Sequence, residues 1–348
     1  MTLITPALIG LLTLILTVVL TSFLRRYALS RQLIDIPNSR SSHSTPTPRG
    51  GGVAIVLVFL IGLPILSKLD IIPISTLWAL LGAGTGSAVI GFLDDHGHIP
   101  ARWRLLAHFS SATWGLYCLG GFPPLLINLP FGYEPLVFNL GWLGQLLGLF
   151  YLVWLLNLYN FMDGIDGLAS LQAITTCIGG ALLYVLTSEN YAPALLPLLL
   201  ASAVSGFLIW NFPPAKIFMG DACSGFLGLI LGLFSIQAAW LNPLFLWSWL
   251  ILLGVFIVDA TLTLLRRFLQ GEKVYEAHRS HAYQYASRYY KSHKKVSITV
   301  SLINMLWLMP LALWVGLSKL NPFVGLILAY LPLLLLAMYF NAGQREHK

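Results

Sequence analysis

Apolar residues gather in long blocks near 3–24, 51–67, 71–93, 105–127, 139–157, 167–187, 192–210, 223–240, 242–265, 296–317 and 321–340, with short polar segments between them. A helix needs about 20 mainly apolar residues to cross a hydrocarbon core of roughly 30 Å. The pattern therefore predicts an all-α fold, a polytopic transmembrane bundle of about eleven helices, the second and eighth of them short. One integral membrane domain over 1–348, with the working chemistry in its polar loops, is the domain organisation this implies.

Charge fixes the orientation expected for that bundle. Arg25 and Arg26 follow the first block, and no cationic segment precedes it, which is the reverse of a cleaved signal peptide. An outward (periplasmic) N-terminus puts 25–50, 94–104, 158–166, 211–222, 266–295 and the tail from 341 on the cytoplasmic side. Of the 20 Lys and Arg, only Lys68 and Lys319 then fall outside, as the positive-inside rule requires. The C-terminus is cytoplasmic in the same layout.

Composition agrees. Hydrophobic residues make up 57% of the 348 and charged residues 9%, with a mean hydropathy of +0.79, where soluble domains carry about 25% charged residues. Lipid must solvate most of the surface. The net charge of +7 is explained by topology and by anionic headgroups, and needs no nucleic-acid partner. The cluster Lys291, His293, Lys294 and Lys295 reads the same way. Cys118, Cys177 and Cys223 are scattered, with neither disulfide nor metal-ligand spacing. Gly82, Gly84 and Gly86 sit inside an apolar block, where close helix packing explains them better than a dinucleotide fingerprint.

The carboxylates change the picture from a membrane protein to a membrane enzyme. Asp70, Glu134 and Glu189 fall in short outer loops. Asp94 and Asp95 end the third block, Asp163 and Asp166 follow the fifth, and Asp221 precedes the eighth, so five acids from three loops reach one membrane face. Acids beside a membrane span are costly and mark function. Adjacent acids repel unless a cation or a shared proton relieves them, and Mg²⁺ commonly takes one or two protein carboxylates plus phosphate and water. In Asn157-Leu-Tyr-Asn160-Phe-Met-Asp163-Gly-Ile-Asp166 the polar residues recur every third position, which shares one broad face of a helix. Asp259 lies within the ninth block, about two helical turns before Arg266 and Arg267, and is open to either a polar cleft or a basic partner.

Three further segments suit phosphate. Arg40-Ser-Ser-His43 runs on to Pro46-Thr-Pro48-Arg49-Gly50-Gly51-Gly52 at the start of the second helix, offering backbone N–H groups and a guanidinium. Asn211 through Asp221 offers an amide, Lys216 and the aromatic Phe218. His278-Arg279-Ser280-His281 sits in the large basic loop; with no cysteine partner, phosphate contact suits it better than zinc. His96 and His98 lie on the same side.

Five motifs, PTPRGGG, FLDD, NLYNFMDGIDG, NFPPAKIFMGD and the HRSH loop, appear in this order between about Asp35 and Gln284. In them the chain resembles the polyprenyl-phosphate N-acetylhexosamine-1-phosphate transferases of glycosyl transferase family 4. That resemblance implies Mg²⁺-dependent transfer of a sugar 1-phosphate from a UDP-N-acetylhexosamine to a polyprenyl phosphate (undecaprenyl phosphate) with release of UMP. Mn²⁺ is an acceptable substitute for the metal. By motif position Asp221 resembles the Mg²⁺ ligand, with Asp163 beside it, and Asp94 or Asp95 resembles the residue that deprotonates the lipid phosphate. Asp163 and Asp166 match the DGxDG acids, and His278, Arg279 and His281 match the histidine loop. The implied substrate contacts are Arg49, Gly50, Gly51, Asn157, Asn160, Asn211, Lys216 and Phe218.

Arg279 and Ser280 interrupt the triple histidine of the MurNAc-pentapeptide branch. HRSHAYQ is similar to the branch that begins O-antigen and other envelope polysaccharides, and Cys223 stands where many members have glycine. The location implied is the bacterial inner membrane, with the site on its cytoplasmic face and a homodimer compatible with it. The alternatives are a phospho-MurNAc-pentapeptide translocase and, in a different class, a transporter. A transporter places polar breaks near mid-membrane, often in repeated halves; here the polar groups crowd one face and no halves repeat.

Overall fold

The structure, a computed structural model, describes residues 4–37, 42, 45–97, 99–127, 136–187, 191–272 and 278–344. Arg40, His43, His98, Glu134 and Glu189 lie outside them. The helices are α1 (Ile4–Ser30), α2 (Val53–Lys68), α3 (Ile74–His96), α4 (Ala101–Cys118), α5 (Gly141–Met162), α6 (Leu168–Thr187) and α7 (Leu195–Asn211). They continue as α8 (Asp221–Leu241), α9 (Leu244–Leu252), α10 (Gly254–Leu269), α11 (Ala282–Tyr290), α12 (His293–Ile303), α13 (Met309–Gly316) and α14 (Pro322–Tyr339). A wide turn over Asn304–Leu308 joins α12 to α13. A single 3-10 turn (Ala192–Ala194) and two short strand pairs complete the elements of the described residues. β1 (Ile34–Asp35) pairs antiparallel with β2 (Thr47–Pro48), and β3 (Leu125–Ile127) with β4 (Leu136–Phe138).

Every apolar block contributes to a helix, although the fourth, expected over 105–127, leaves the helix after Cys118 and ends in strand β3, and the protein is an all-α integral membrane protein. Among the described residues eight helices are long and apolar enough to cross a membrane, or up to nine if one bent pair counts as a span. Two of the blocks fall short of that measure. α2 has 16 residues, and α4 carries Arg102, Arg104, His108, Ser110 and Ser111, which dilute its apolar character. The ninth block is not one straight rod, because α9 and α10 meet at a 70° bend.

Leu253 and Gly254 form that bend, and its freed carbonyl is satisfied from α6. Gln172 Nε2 donates to the Leu252 carbonyl at 3.0 Å and Thr176 Oγ1 at 3.3 Å. Asn304, at the wide turn, donates to Gln172 Oε1 at 2.7 Å and to Thr175 Oγ1 at 3.0 Å. Broken helices persist in lipid only where side chains re-satisfy the backbone in this manner.

α8 is the axis of the bundle. Of its apolar stretch 94% is buried, against 17% for α1, so α8 is wrapped by protein while α1 turns Leu8, Leu11 and Leu16 outward. Phe226 of α8 meets the edge of Phe59, and Phe234 meets Trp249, at centroid distances of 5.9 and 6.0 Å. α3 and α5 flank the same helix. Gly91 of α3 lies so close that an added Cβ would stand 2.3 Å from the Asp221 carbonyl oxygen. The ends of α3, α5 and α7 and the starts of α2, α6 and α8 thereby meet at one end of the bundle.

Candidate active site

Asp221 is the first residue of α8, and Gly220 before it holds φ at +86°, a conformation that suits glycine. The turn aims the α8 N-terminus at the end of α3. Asp95 fills the gap. Its Oδ1 accepts from the Asp221 N–H at 3.0 Å and its Oδ2 from the Ala222 N–H at 3.1 Å, capping two of the N–H groups a helix start leaves unpaired. Arg49 then spans both acids, with Nη2 2.7 Å from Asp95 Oδ1 and 2.7 Å from Asp221 Oδ1. Burial disfavours the guanidinium charge, but Asp221 and Asp95 outweigh it and raise its pKa.

Asp94 points the other way. It pairs with Arg104 of α4 and accepts from the Ile99 N–H at 2.9 Å. The two adjacent acids are therefore held apart by separate cations, and Asp95 is the one joined to Asp221.

The loop from Pro46 to Gly52 zips onto the segment before α8. Phe218 N donates to the Pro48 carbonyl at 2.8 Å, Gly51 N to Phe218 at 2.9 Å and Gly52 N to Met219 at 3.0 Å. These glycine N–H groups are consumed by the backbone and are not available to an anion. What the PTPRGGG loop presents is Arg49.

A 230 Å³ cavity opens between these loops and the end of α5. Arg49, Asn160, Asp163, Asp166, Asn211, Phe218 and Asp221 line it, as do Asp35, Ser42, Gln284 and His293. Arg49 and Asp35 also border a neighbouring 400 Å³ cavity, which takes in Gly50, Asp95 and His96. Asp163 caps α5 at the cavity floor. Burial, reinforced by the charge of Asp221, pushes its carboxyl well above the usual carboxylate range, with Arg49 acting against the shift.

Asp166 braces the site. Its Oδ2 accepts from Ala215 N at 3.0 Å, its Oδ1 lies 3.3 Å from His293 Nδ1, and its carbonyl accepts from Ser297 Oγ. Asn211 is buried with both ends engaged, accepting from Gly167 N at 3.0 Å and donating to the Ile217 carbonyl at 3.1 Å.

Other expected residues lie away from the cavity. Asn157 donates back to the Val153 carbonyl at 2.7 Å. Lys216 sits 5.6 Å from the Trp210 ring, which Arg25 also covers at 5.9 Å, and its carbonyl accepts from Arg25. In the histidine loop, His281 is 2% exposed and 3.3 Å from Asp259 Oδ1, while His278 stacks on it at 4.9 Å. Burial, and then the charges of His281 and Arg267, hold His278 down to about 3. Of this segment Gln284 is the residue that lines the cavity.

Asp35, Ser42, Gln284 and His293 were not singled out by the sequence. His293 reads in the sequence as part of a basic cluster, and its place beside Asp166 comes from a tertiary contact across 127 residues. Asp35 is carried there by the β1–β2 hairpin, in which it pairs with Thr47.

The cavity suits a divalent cation. Its acids are hard oxygen donors, and Asp163 is an acid that a cation would relieve. Among the described residues no three His, Cys, Asp or Glu side chains converge closely enough to hold an ion together.

The model of glycosyl transferase family 4 matches residues 77–239, from α3 through α8. The chain is 28% identical over 300 residues to the probable undecaprenyl-phosphate N-acetylglucosaminyl 1-phosphate transferase of Bacillus subtilis, covering 85% of this chain and 81% of that one. It is 29% identical over 339 residues to the decaprenyl-phosphate N-acetylglucosaminephosphotransferase of Mycobacterium tuberculosis, covering 85% and 79%. The phospho-N-acetylmuramoyl-pentapeptide-transferase of Bacillus subtilis matches at 28% over 228 residues, covering 63% and 69%.

Proposed function

We propose that the chain, which the model of glycosyl transferase family 4 matches over residues 77–239, is a member of that family and moves an N-acetylhexosamine 1-phosphate from a UDP-sugar to a polyprenyl phosphate. The observation that carries the reading is the meeting of Asp163, Asp221 and Arg49, from three separate segments, around one cavity at the helix ends, with Asp95 joined to Arg49 and to the Asp221 N–H beside it. Relatives with N-acetylglucosamine in their names align over more of the chain than the muramoyl-pentapeptide enzyme does, which favours the former donor class. The product would be the first lipid-linked intermediate of an envelope polysaccharide such as O-antigen, made at the cytoplasmic face of the inner membrane.

In this mechanism a lipid phosphate oxygen attacks the β-phosphorus of the donor. The new P–O bond forms as the bond to the bridging oxygen breaks, and UMP leaves with the bonding pair. Phosphoryl transfer of this kind depends on positioning and charge neutralisation. Asp221 and Asp163 are the residues to hold Mg²⁺, which when bound would neutralise diphosphate charge. Arg49 orients Asp221 and meets phosphate oxygens at the cavity mouth. Asp95 fixes the start of α8, so the position of Asp221 depends on it. Phe218 supplies a face for the base, and Asp166 and Asn211 hold the loops that shape the cavity.

Membranes containing the protein are expected to release UMP from UDP-N-acetylhexosamines only with polyprenyl phosphate and Mg²⁺ present. Asp221→Asn should abolish release at saturating Mg²⁺ while leaving membrane insertion intact. Near-normal turnover in that variant would remove Asp221 from the metal.

A further inference from the structure

Asp259 lies inside α10, 5% exposed, and is not among the residues lining the 230 Å³ cavity. A charge buried in a membrane span is tolerated only when its hydrogen bonds are satisfied. Here the donors come chiefly from α11. Oδ1 accepts from Ala282 N at 2.9 Å and Oδ2 from Tyr283 N at 3.0 Å, and Thr263 Oγ1 donates to Oδ1 at 3.1 Å. His281 Nδ1, at 3.3 Å, completes the set. α11 has nine residues, too few to be stable alone, so its place is set by what holds its first turn.

The two residues next to that anchor reach the site. Tyr283 Oη donates to the Phe161 carbonyl at 2.9 Å, two residues before Asp163. Gln284 lines the cavity, and its Oε1 accepts from His281 N at 3.2 Å. His281 itself lies against the Phe161 ring at 6.4 Å with the planes 25° apart. A rigid path thus runs from the bent helix through the α11 N-terminus to the backbone that carries Asp163.

We infer that Asp259 is a positioning residue for the transfer: it holds α11 so that Tyr283 fixes the Phe161 carbonyl, and with it Asp163, while Gln284 closes the cavity wall. The inference rests on the transfer reading above. It assigns the buried histidine of the HRSH loop to the same support, with Asp259 as the centre of that support.

The test is a double-mutant cycle on the full-length protein in lipid nanodiscs, using Asp259→Asn, Tyr283→Phe and the pair. Asn offers one acceptor oxygen where two backbone N–H groups need one each, at nearly unchanged volume. Each single variant should lower kcat for UMP release about tenfold with donor KM within about twofold. The pair should be no worse than the weaker single variant within about twofold, because both changes cut one path. Multiplying losses would overturn the inference. If Asp259→Asn does not fold, Tyr283→Phe decides alone: a wild-type kcat at wild-type melting temperature counts against it, and a tenfold loss supports it. If the wild type releases no UMP, the transfer reading fails, and hydrogen exchange tests the path independently. Faster exchange in Asp259→Asn (or in Tyr283→Phe, should the first not fold) at both 282–284 and 163–167 supports coupling; unchanged exchange at 163–167 overturns it.

Discussion

Asn211 shows how a polar residue can border a binding cavity while serving the protein first. Its amide clamps Gly167 N to the Ile217 carbonyl, so the loop bearing Asp166 and the segment before α8 share one bracket. Asn211→Ala would leave a buried donor and a buried acceptor unpaired, at a cost of about 1–3 kcal/mol for such a group. The melting temperature of the purified protein should fall by several degrees. Preference for uridine over cytidine donors should persist; a switch in that preference, with stability unchanged, would put the amide on the base. Asp95 is of the same kind, a helix cap and an ion-pair partner together. Both acids of the Asp94–Asp95 pair looked equivalent along the chain, and only the three-dimensional position of Arg49 and Arg104 distinguishes them.

Among the elements, α8 sets the geometry on which the acids depend. Gly91 lets α3 touch the first turn of α8, and that contact keeps Asp95 within reach of the Asp221 and Ala222 N–H groups. A methyl group at Gly91 must push the two backbones apart, and overpacking of this sort costs about 1–3 kcal/mol. Gly91→Ala is therefore expected to raise the Mg²⁺ concentration for half-maximal UMP release by roughly 5–30-fold, the factor that 1–2 kcal/mol represents. An unchanged Mg²⁺ requirement would show that α3 can retreat without moving Asp95. The helices themselves were legible, since every apolar block gave rise to helix, the end of the fourth excepted, which became strand β3. The 70° bend was not: Leu253-Gly254 in an apolar run gives no period change, and Gln172, which stabilises it, lies 80 residues away in sequence and is itself held by Asn304 from the turn after α12. α11 was hidden too, because nine residues within a basic loop carry too little pattern to separate helix from coil.

For the whole molecule, the helical bundle followed from hydropathy, whereas the composition of the site followed from contacts no spacing rule reports. The five acids gathered at one end as the alternation of helices requires. Yet Lys216 turned to Trp210, Asn157 to its own helix, and Gly51 and Gly52 of the PTPRGGG loop to backbone pairing. In each case a nearby internal partner satisfied the group that a substrate was expected to meet. Conversely, Asp35, Ser42, Gln284 and His293 reach the cavity although no spacing rule singles them out.

The bend between α9 and α10 also bears on the surrounding lipid. α9 has nine residues, about 14 Å of helix at 1.5 Å per residue, less than half of a roughly 30 Å hydrocarbon core. An inclined α10 must cover the rest, and its inclination is pinned by Gln172 and Thr176 at the Leu252 carbonyl. A pinned strut cannot re-tilt to match a thicker bilayer, so the elastic cost of mismatch falls on the lipid. Turnover in proteoliposomes of increasingly long-chain phosphatidylcholine should then vary little for the wild type and fall with chain length in Gln172→Leu, whose bend is free to yield. Equal chain-length dependence in the two proteins would separate the bend from the network that holds it. On this view the amide cluster protects catalysis from the mechanics of the membrane.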